Sequence, residues 1–320
     1  MTKYIIRRGL IAIPMLLAIS LMTFTFISLA PGDPVDAMID PEFFVGGAGD
    51  ALRERMGLNK PIHVRYVIWL RELFTGNFGF SYQFGVPVLD MIGDRIFPTL
   101  ELTIVSLIAS TVIGTALGVV QALRQYSIFD YSLSIGALFG ISIPAFFFAL
   151  IALYIFVAVL GWFPSHGMYS YAHGFEVVDH LHHLILPASV VMIESLAGNM
   201  RYMRTAMLEV MRSDYVRTAQ AKGLSYMVVF GRHAFRNALL PLVTITTLRL
   251  PGLIGGIIII EHMFAWPGMG QLGIRAVGDR DYTILMGLAV ITAALVLFSN
   301  LLADMLYAVT DPRVRVEDQG

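Results

Sequence analysis

From Gly9 to Ala30 the chain runs for 22 residues without a charge, and further long apolar runs follow. About 20 such residues cross the hydrocarbon core of a bilayer as a helix. Inside hydrocarbon every backbone N–H and C=O must be paired, which restricts spanning segments to helices and closed barrels. Repeated runs of this length therefore point to helical spans. Composition agrees: 57% of residues are hydrophobic and 14% charged, against ~45–50% and ~25% in soluble proteins. The first run is too long for the apolar core of a signal peptide, and no small-residue cleavage pattern closes it, so it reads as a retained span.

Five more spans are expected. They are Thr99–Leu123, a long third from Tyr131 to about Leu160, Leu184–Met200, Leu239–Ile260 and Thr283–Tyr307. The third contains Ser142-Ile143-Pro144, where proline removes a helix hydrogen bond and kinks or breaks the helix. The expected fold is an all-α polytopic membrane protein with six transmembrane helices and both termini on one side. Loop charge assigns that side. Lys and Arg number 13 in the segments placed inside and 2 in the short outer loops, so both termini face the cytoplasm.

Residues 1–30 then form a short tail and the first helix, and 31–98 an extracytoplasmic segment. Residues 99–310 form the core, with a cytoplasmic loop at 201–238, and 311–320 a tail. In the outer segment Asn59 is placed to cap a helix with Pro61 in its first turn. Tyr66, Trp69, Leu70, Leu73 and Phe74 make one apolar stripe at helical spacing, suited to packing on a span or to the membrane interface. Leu89, Ile92 and Ile96 share one side of a second short piece.

The most informative polar stretch runs from Arg201 to Pro241. It holds Arg201, Arg204, Arg212, Arg217, Lys222, Arg232 and Arg236 against only Glu209 and Asp214. Asp214 is placed to cap a short helix over Tyr215–Lys222. Gly223 is placed to end it in the left-handed conformation, and Ser225 to cap the next. Ala219 and Ala221 keep this helix slim enough to dock in a groove of another protein. A solvated basic loop that only sets topology is the equal alternative from the residues alone.

The spelling RTAQAKG followed by RHAFRNALLP resembles the cytoplasmic loop of ABC-transporter permeases, closest to the dipeptide/oligopeptide/nickel branch. The general pattern there is Glu-Ala-Ala, three residues, then Gly. Here Arg217-Thr218-Ala219 and Gly223 hold those places. The pattern's Leu-Pro about 13 residues after the Gly is replaced by Phe235-Arg236, with Leu240-Pro241 five residues later. Phe264-Ala265-Trp266-Pro267-Gly268-Met269-Gly270 is similar to an outer loop of the family, and Asn300, Asp304, Tyr307 and Asp311-Pro312-Arg313 to its C-terminal signature.

The resemblance implies an importer subunit of the prokaryotic inner membrane that performs no bond chemistry. Its implied partners are a homologous permease, two cytoplasmic ATPases carrying ATP and Mg, and an extracytoplasmic solute-binding protein. Asp214, Tyr215, Arg217, Thr218, Ala219, Ala221, Lys222, Gly223 and Leu224 become the segment that couples to the ATPases. Short peptides are the expected solute, with oligosaccharide, nickel and glutathione as alternatives within the family.

Other motifs carry less. Gly268-x-Gly270-x-x-Gly273 spells a dinucleotide fingerprint but lacks the strand–turn–helix context that motif needs, so a turn is expected. No GxxxxGK[ST] loop occurs, so ATP must be handled by a separate chain. Five of eight histidines fall between Gly161 and His183: His166, His173, His180, His182 and His183. They lack the i, i+4 pair and HExxH spelling of common zinc sites, and a polar loop without metal is expected. The net charge of −1 and the absence of cysteine give no sign of nucleic-acid binding or thiol chemistry.

Intramembrane charges are functional candidates by default. Glu194 and Arg249 are such residues, either pairing with each other or lining a path. A secondary transporter would leave the RTAQAKG spelling unexplained, and an intramembrane hydrolase would need a nucleophile–base set that the spans do not offer.

Overall fold

The computed structural model describes residues 2–30, 32, 35, 48–170, 176–225, 228–239, 242, 245–246, 249, 252 and 257–310. Helices dominate: α1 Thr2–Leu29, α2 Ala48–Arg55, α3 Ile62–Phe74, α4 Val88–Leu123, α5 Ile128–Ser142, α6 Ala145–Ala152, α7 Val177–Met211, α8 Asp214–Ala221, α9 Ile258–Met263, α10 Met269–Gly278 and α11 Tyr282–Thr310. Four of them are long and apolar enough to cross a membrane, within α1, α4, α7 and α11, and the bent pair starting at Ile128 and ending at Val159 adds a fifth if it is one span. Most of the expected span Leu239–Ile260 lies outside the described residues.

Two compact units are formed, one from residues 1–99 with 267–298 and one from residues 100–266 with 299–320. In the first, Val88 and Ile92 pack with Met269, Leu272, Ala276, Ile284 and Leu288. Leu89 stays 45% exposed, so the buried stripe here is Val88 and Ile92 with Ile96 partly buried. Asp281 is fully buried and holds the start of α11, accepting from the Ile284 N–H at 3.2 Å and from the Ser81 hydroxyl at 2.6 Å. Helix α3 lies on α1 through Tyr66 and Trp69, whose rings sit 5.4 and 6.1 Å from that of Phe24. The expected stripe is thus partly buried, except Phe74, which is 76% exposed. Pro61, not Asn59, takes the N-cap position, since its extended backbone immediately precedes the first helical residue, Ile62.

In the second unit α5 and α6 meet at Ser142-Ile143-Pro144 with a bend of 107°. Ile143 is extended (φ −95, ψ 128), as a residue before proline prefers, and Pro144 starts α6. A break that sharp is more than the plain kink proline usually leaves. Leu153–Val159 then continues as π-helical turns.

Helix α4 packs on α7 through Gly114 and Gly118, a small-xxx-small spacing that lets backbones approach closely. A Cβ at Gly118 would stand 2.5 Å from the Met200 carbonyl oxygen and 2.8 Å from the Met203 Cβ. Gly118→Val is therefore expected to force the two helices apart at a cost of about 1–3 kcal/mol, lowering the Tm of the purified protein. Gly136, with nothing among the described residues within 4 Å of an added Cβ, should accept alanine without loss. Equal Tm values for Gly118→Val and the parent would contradict this packing.

Candidate functional site

Helix α8 begins one residue earlier than a cap at Asp214 would give. Ser213 takes the N-cap position (φ −71, ψ 150) and Asp214 is the first helical residue. The Ser213 hydroxyl turns back and donates to the Val210 carbonyl at 2.6 Å, closing α7 just as α8 starts. Asp214 instead lies beside the positive end of the helix dipole and 3.8 Å from Arg217, a fully solvated pair.

The helix stop at Gly223 is as expected. Gly223 has φ +76, the left-handed region that glycine enters without steric cost, and its N–H donates to the Gln220 carbonyl at 2.9 Å. The Ser225 carbonyl accepts from the amides of Val228 and Val229, and the chain is helical at Val228.

The two faces of α8 differ. Val216 is fully buried and Ala219 nearly so, packed with Met203 and Met207 of α7 and with Phe230 and Ala234. Ala219, expected to face a partner, faces its own chain: its single methyl lets α8 press against α7. Asp214, Tyr215, Arg217, Thr218, Ala221, Lys222, Gly223 and Leu224 are exposed, with Gln220 among them. The Tyr215 hydroxyl accepts from Asn237 Nδ2 at 3.1 Å, tying α8 to the segment after it.

Behind α8, helix α7 carries on through what reads in sequence as the start of a loop. Arg204 therefore lies on a span helix, not in a basic loop. Its Nε and Nη2 donate to the two carboxylate oxygens of Asp130, each at 2.7 Å. Asp130 is buried and also accepts from the Tyr126 N–H at 3.1 Å and Gln121 Nε2 at 3.3 Å. Its own N–H donates to the Ser127 hydroxyl, the cap of α5. This clamp joins α4, α5 and α7. Its sequence signal was Ser127-x-x-Asp130, a capping spacing.

Glu194 and Arg249 do not form an ion pair among the described residues. Glu194, at the midpoint of α7, is exposed. Arg249 donates to the Ser195 carbonyl at 3.3 Å and to Asn199 Oδ1 at 3.4 Å. Gly198 makes room for it: a Cβ there would meet Arg249 Nη2 at 2.6 Å.

His180, His182 and His183 belong to the first turns of α7, because the helix starts at Val177. His180 Nδ1 donates to the Met168 carbonyl at 3.0 Å and its Nε2 lies 2.6 Å from Glu101 Oε1. His182 Nε2 donates to the Trp162 carbonyl and His183 Nδ1 to that of Asp179. His166 sits against the Ser165 hydroxyl, and His173 lies outside the described residues. No group of three or more metal-binding side chains forms among the described residues. Gly268, expected in a turn, is the N-cap of α10, which includes Gly270 and Gly273. The Met269 N–H donates to the Thr99 hydroxyl at 2.8 Å, so that helix start is occupied by the chain itself.

Residues 112–316 match the family described as binding-protein-dependent transport system inner membrane component, and residues 1–103 match its N-terminal companion. A protein of Brucella suis biovar 1 with peptide permease in its name is 46% identical over 318 residues, covering 99% of this chain and 100% of its own. The oligopeptide transport system permease protein AppB of Bacillus subtilis is 42% identical over 315 residues, covering 98% of this chain and 99% of its own. Among solved structures, a chain of the inward-facing MetNI methionine ABC transporter is similar in fold at a TM-score of 0.56 and 19% identity, covering 70% of this chain and 97% of that one. The chain belongs to the binding-protein-dependent inner membrane component family and is an ABC transporter permease of the peptide group.

Proposed function

We propose that this chain forms half of the translocation path of an ATP-driven importer of short peptides, with six spans and both termini in the cytoplasm. A homologous permease supplies the other half. Two cytoplasmic ATPases, which carry ATP and Mg, dock on α8, and an extracytoplasmic solute-binding protein delivers the peptide. Alternating access is the mechanism: closure of the ATPases moves α8, and α7 transmits the movement to the spans.

The observation that carries this reading is the two-faced character of α8. One side, Val216 and Ala219, is anchored on α7, and the other is open. A short helix fixed to a span on one side can transfer a push, whereas a solvated loop cannot. Relatives named as peptide and oligopeptide permeases support the solute class.

Glu194 fits the path. A carboxylate exposed at the middle of a span costs ~2.5–3.5 kcal/mol against hydrocarbon on insertion scales, so its exposed face belongs to water or to the second permease. Arg249, held by Ser195 and Asn199, is the weaker candidate for direct contact with solute.

The test is uptake by proteoliposomes containing the whole complex, the binding protein and internal ATP. Labelled tripeptide is expected to accumulate, and Glu194→Gln to reduce the rate without reducing the amount of complex. Uptake of an oligosaccharide in place of peptides would refute the solute class.

A further inference from the structure

The first unit contains a cavity of about 640 Å³ that the transport reading does not use. That volume lies within the range of small-molecule sites, ~300–1,000 Å³. Part of its lining is apolar: Phe24 and Ile27 from the last two turns of α1, and Met286 from the second turn of α11. Three cations also line it, Arg55, Lys60 and Arg65, the last with its guanidinium carbon 5.9 Å from the Phe24 ring centroid. Among the described residues the one acid that lines it, Glu72, accepts from Asn77 Nδ2 at 2.9 Å.

Depth identifies the occupant. Two apolar helices, one ending and one starting, bound the cavity, so it lies where hydrocarbon gives way to headgroups. Trp69, Tyr82 and Tyr282 line it as well, and Trp and Tyr concentrate at that level of a bilayer. Three cations beside an apolar lining, at that depth, match an anionic headgroup with its acyl chains. A zwitterionic lipid would leave the surplus positive charge uncompensated. We propose that this cavity binds one anionic phospholipid, its phosphate among Arg55, Lys60 and Arg65 and its chains against Phe24, Ile27 and Met286.

Native mass spectrometry of the intact transporter tests this. The detergent-solubilised complex is titrated with dioleoylphosphatidylglycerol or dioleoylphosphatidylcholine. Tight retention of one phosphatidylglycerol per copy of this chain is expected, with phosphatidylcholine at least about tenfold weaker. A triple variant with Arg55→Gln, Lys60→Gln and Arg65→Gln should lose that preference. Ser28→Trp, which fills the cavity and keeps every charge, should lose retention of the lipid itself and serves if the triple variant fails to assemble. Equal retention of the two lipids by the parent, or undiminished phosphatidylglycerol retention in either assembled variant, would overturn the proposal. Displacement of the lipid by equimolar glycerol phosphate would assign the three cations to a free anion and overturn the lipid assignment.

Discussion

Arg204→Ala is expected to cut the amount of folded permease in the membrane severely and to lower the Tm of what remains. The guanidinium presents a planar fork to both oxygens of Asp130, at 2.7 Å each, a geometry that lysine cannot reproduce. The Asp130 side chain is 2% exposed. Taking away the cation leaves a buried carboxylate with only the Gln121 amide and the Tyr126 N–H. Breaking a buried pair from one side costs about 3–5 kcal/mol, a large part of the ~5–15 kcal/mol that holds an ordinary domain together. Two companions separate charge from packing. Arg204→Lys should recover part of the loss. Adding Asp130→Asn to Arg204→Ala should also recover part, because the orphaned charge is then gone. An Arg204→Ala protein as abundant and as heat-stable as the parent would show that the clamp does not hold α4, α5 and α7 together.

Gly223→Pro is expected to cut transport about tenfold or more while leaving insertion and assembly intact. The residue sits at φ +76 and donates its N–H to Gln220. Proline fixes φ near −65° and has no N–H, so the chain after α8 must leave in another direction. Proline also pushes the preceding residue toward extended backbone, and Lys222 sits far from that at φ −75, ψ 2. The last turn of α8 therefore unwinds as well. The expected loss of ATP-driven uptake is about tenfold or more, the scale of a broken helix end. Gly223→Ala gives the contrast. No atom of the described residues lies within 4 Å of a Cβ there, so its cost is the left-handed backbone, roughly 1–2 kcal/mol, and uptake should fall modestly. Full uptake by the proline variant would remove α8 from the coupling route.

The features that were legible in sequence are those with strong local physics. The uncharged run from Gly9 to Ala30 had no alternative to a span. Pro144 marked a kink or a break without saying which, and Gly223 marked a helix stop in the left-handed conformation. What sequence concealed was set by tertiary contact. Helix α4 starts at Val88 and runs through Pro98, because neighbouring elements and membrane helices tolerate an internal proline. Helix α7 starts at Val177 and ends at Met211, beyond the apolar run at both ends, since a helix need not stop where hydrophobicity does. Arg204 counted as one loop charge among seven, but its partner Asp130 lies 74 residues away. Ala219 looked like a docking residue because smallness suits either face, and only the position of Met203 and Met207 decides which. Glu194 and Arg249 were recognisable as costly charges, but not their separation, which depends on Ser195 and Asn199 holding the arginine.

The central claim is that the open face of α8 docks on a cytoplasmic ATPase. The parent chain has no cysteine, so one introduced thiol reports one place. Gln220 is exposed on that face and Ser165 is exposed in the loop between α6 and α7. In the assembled transporter, Gln220→Cys treated with a short thiol-to-amine cross-linker should form an adduct with the ATPase subunit, and Ser165→Cys should form none. An adduct from Ser165→Cys, with Gln220→Cys giving none in the same active complex, would contradict the account.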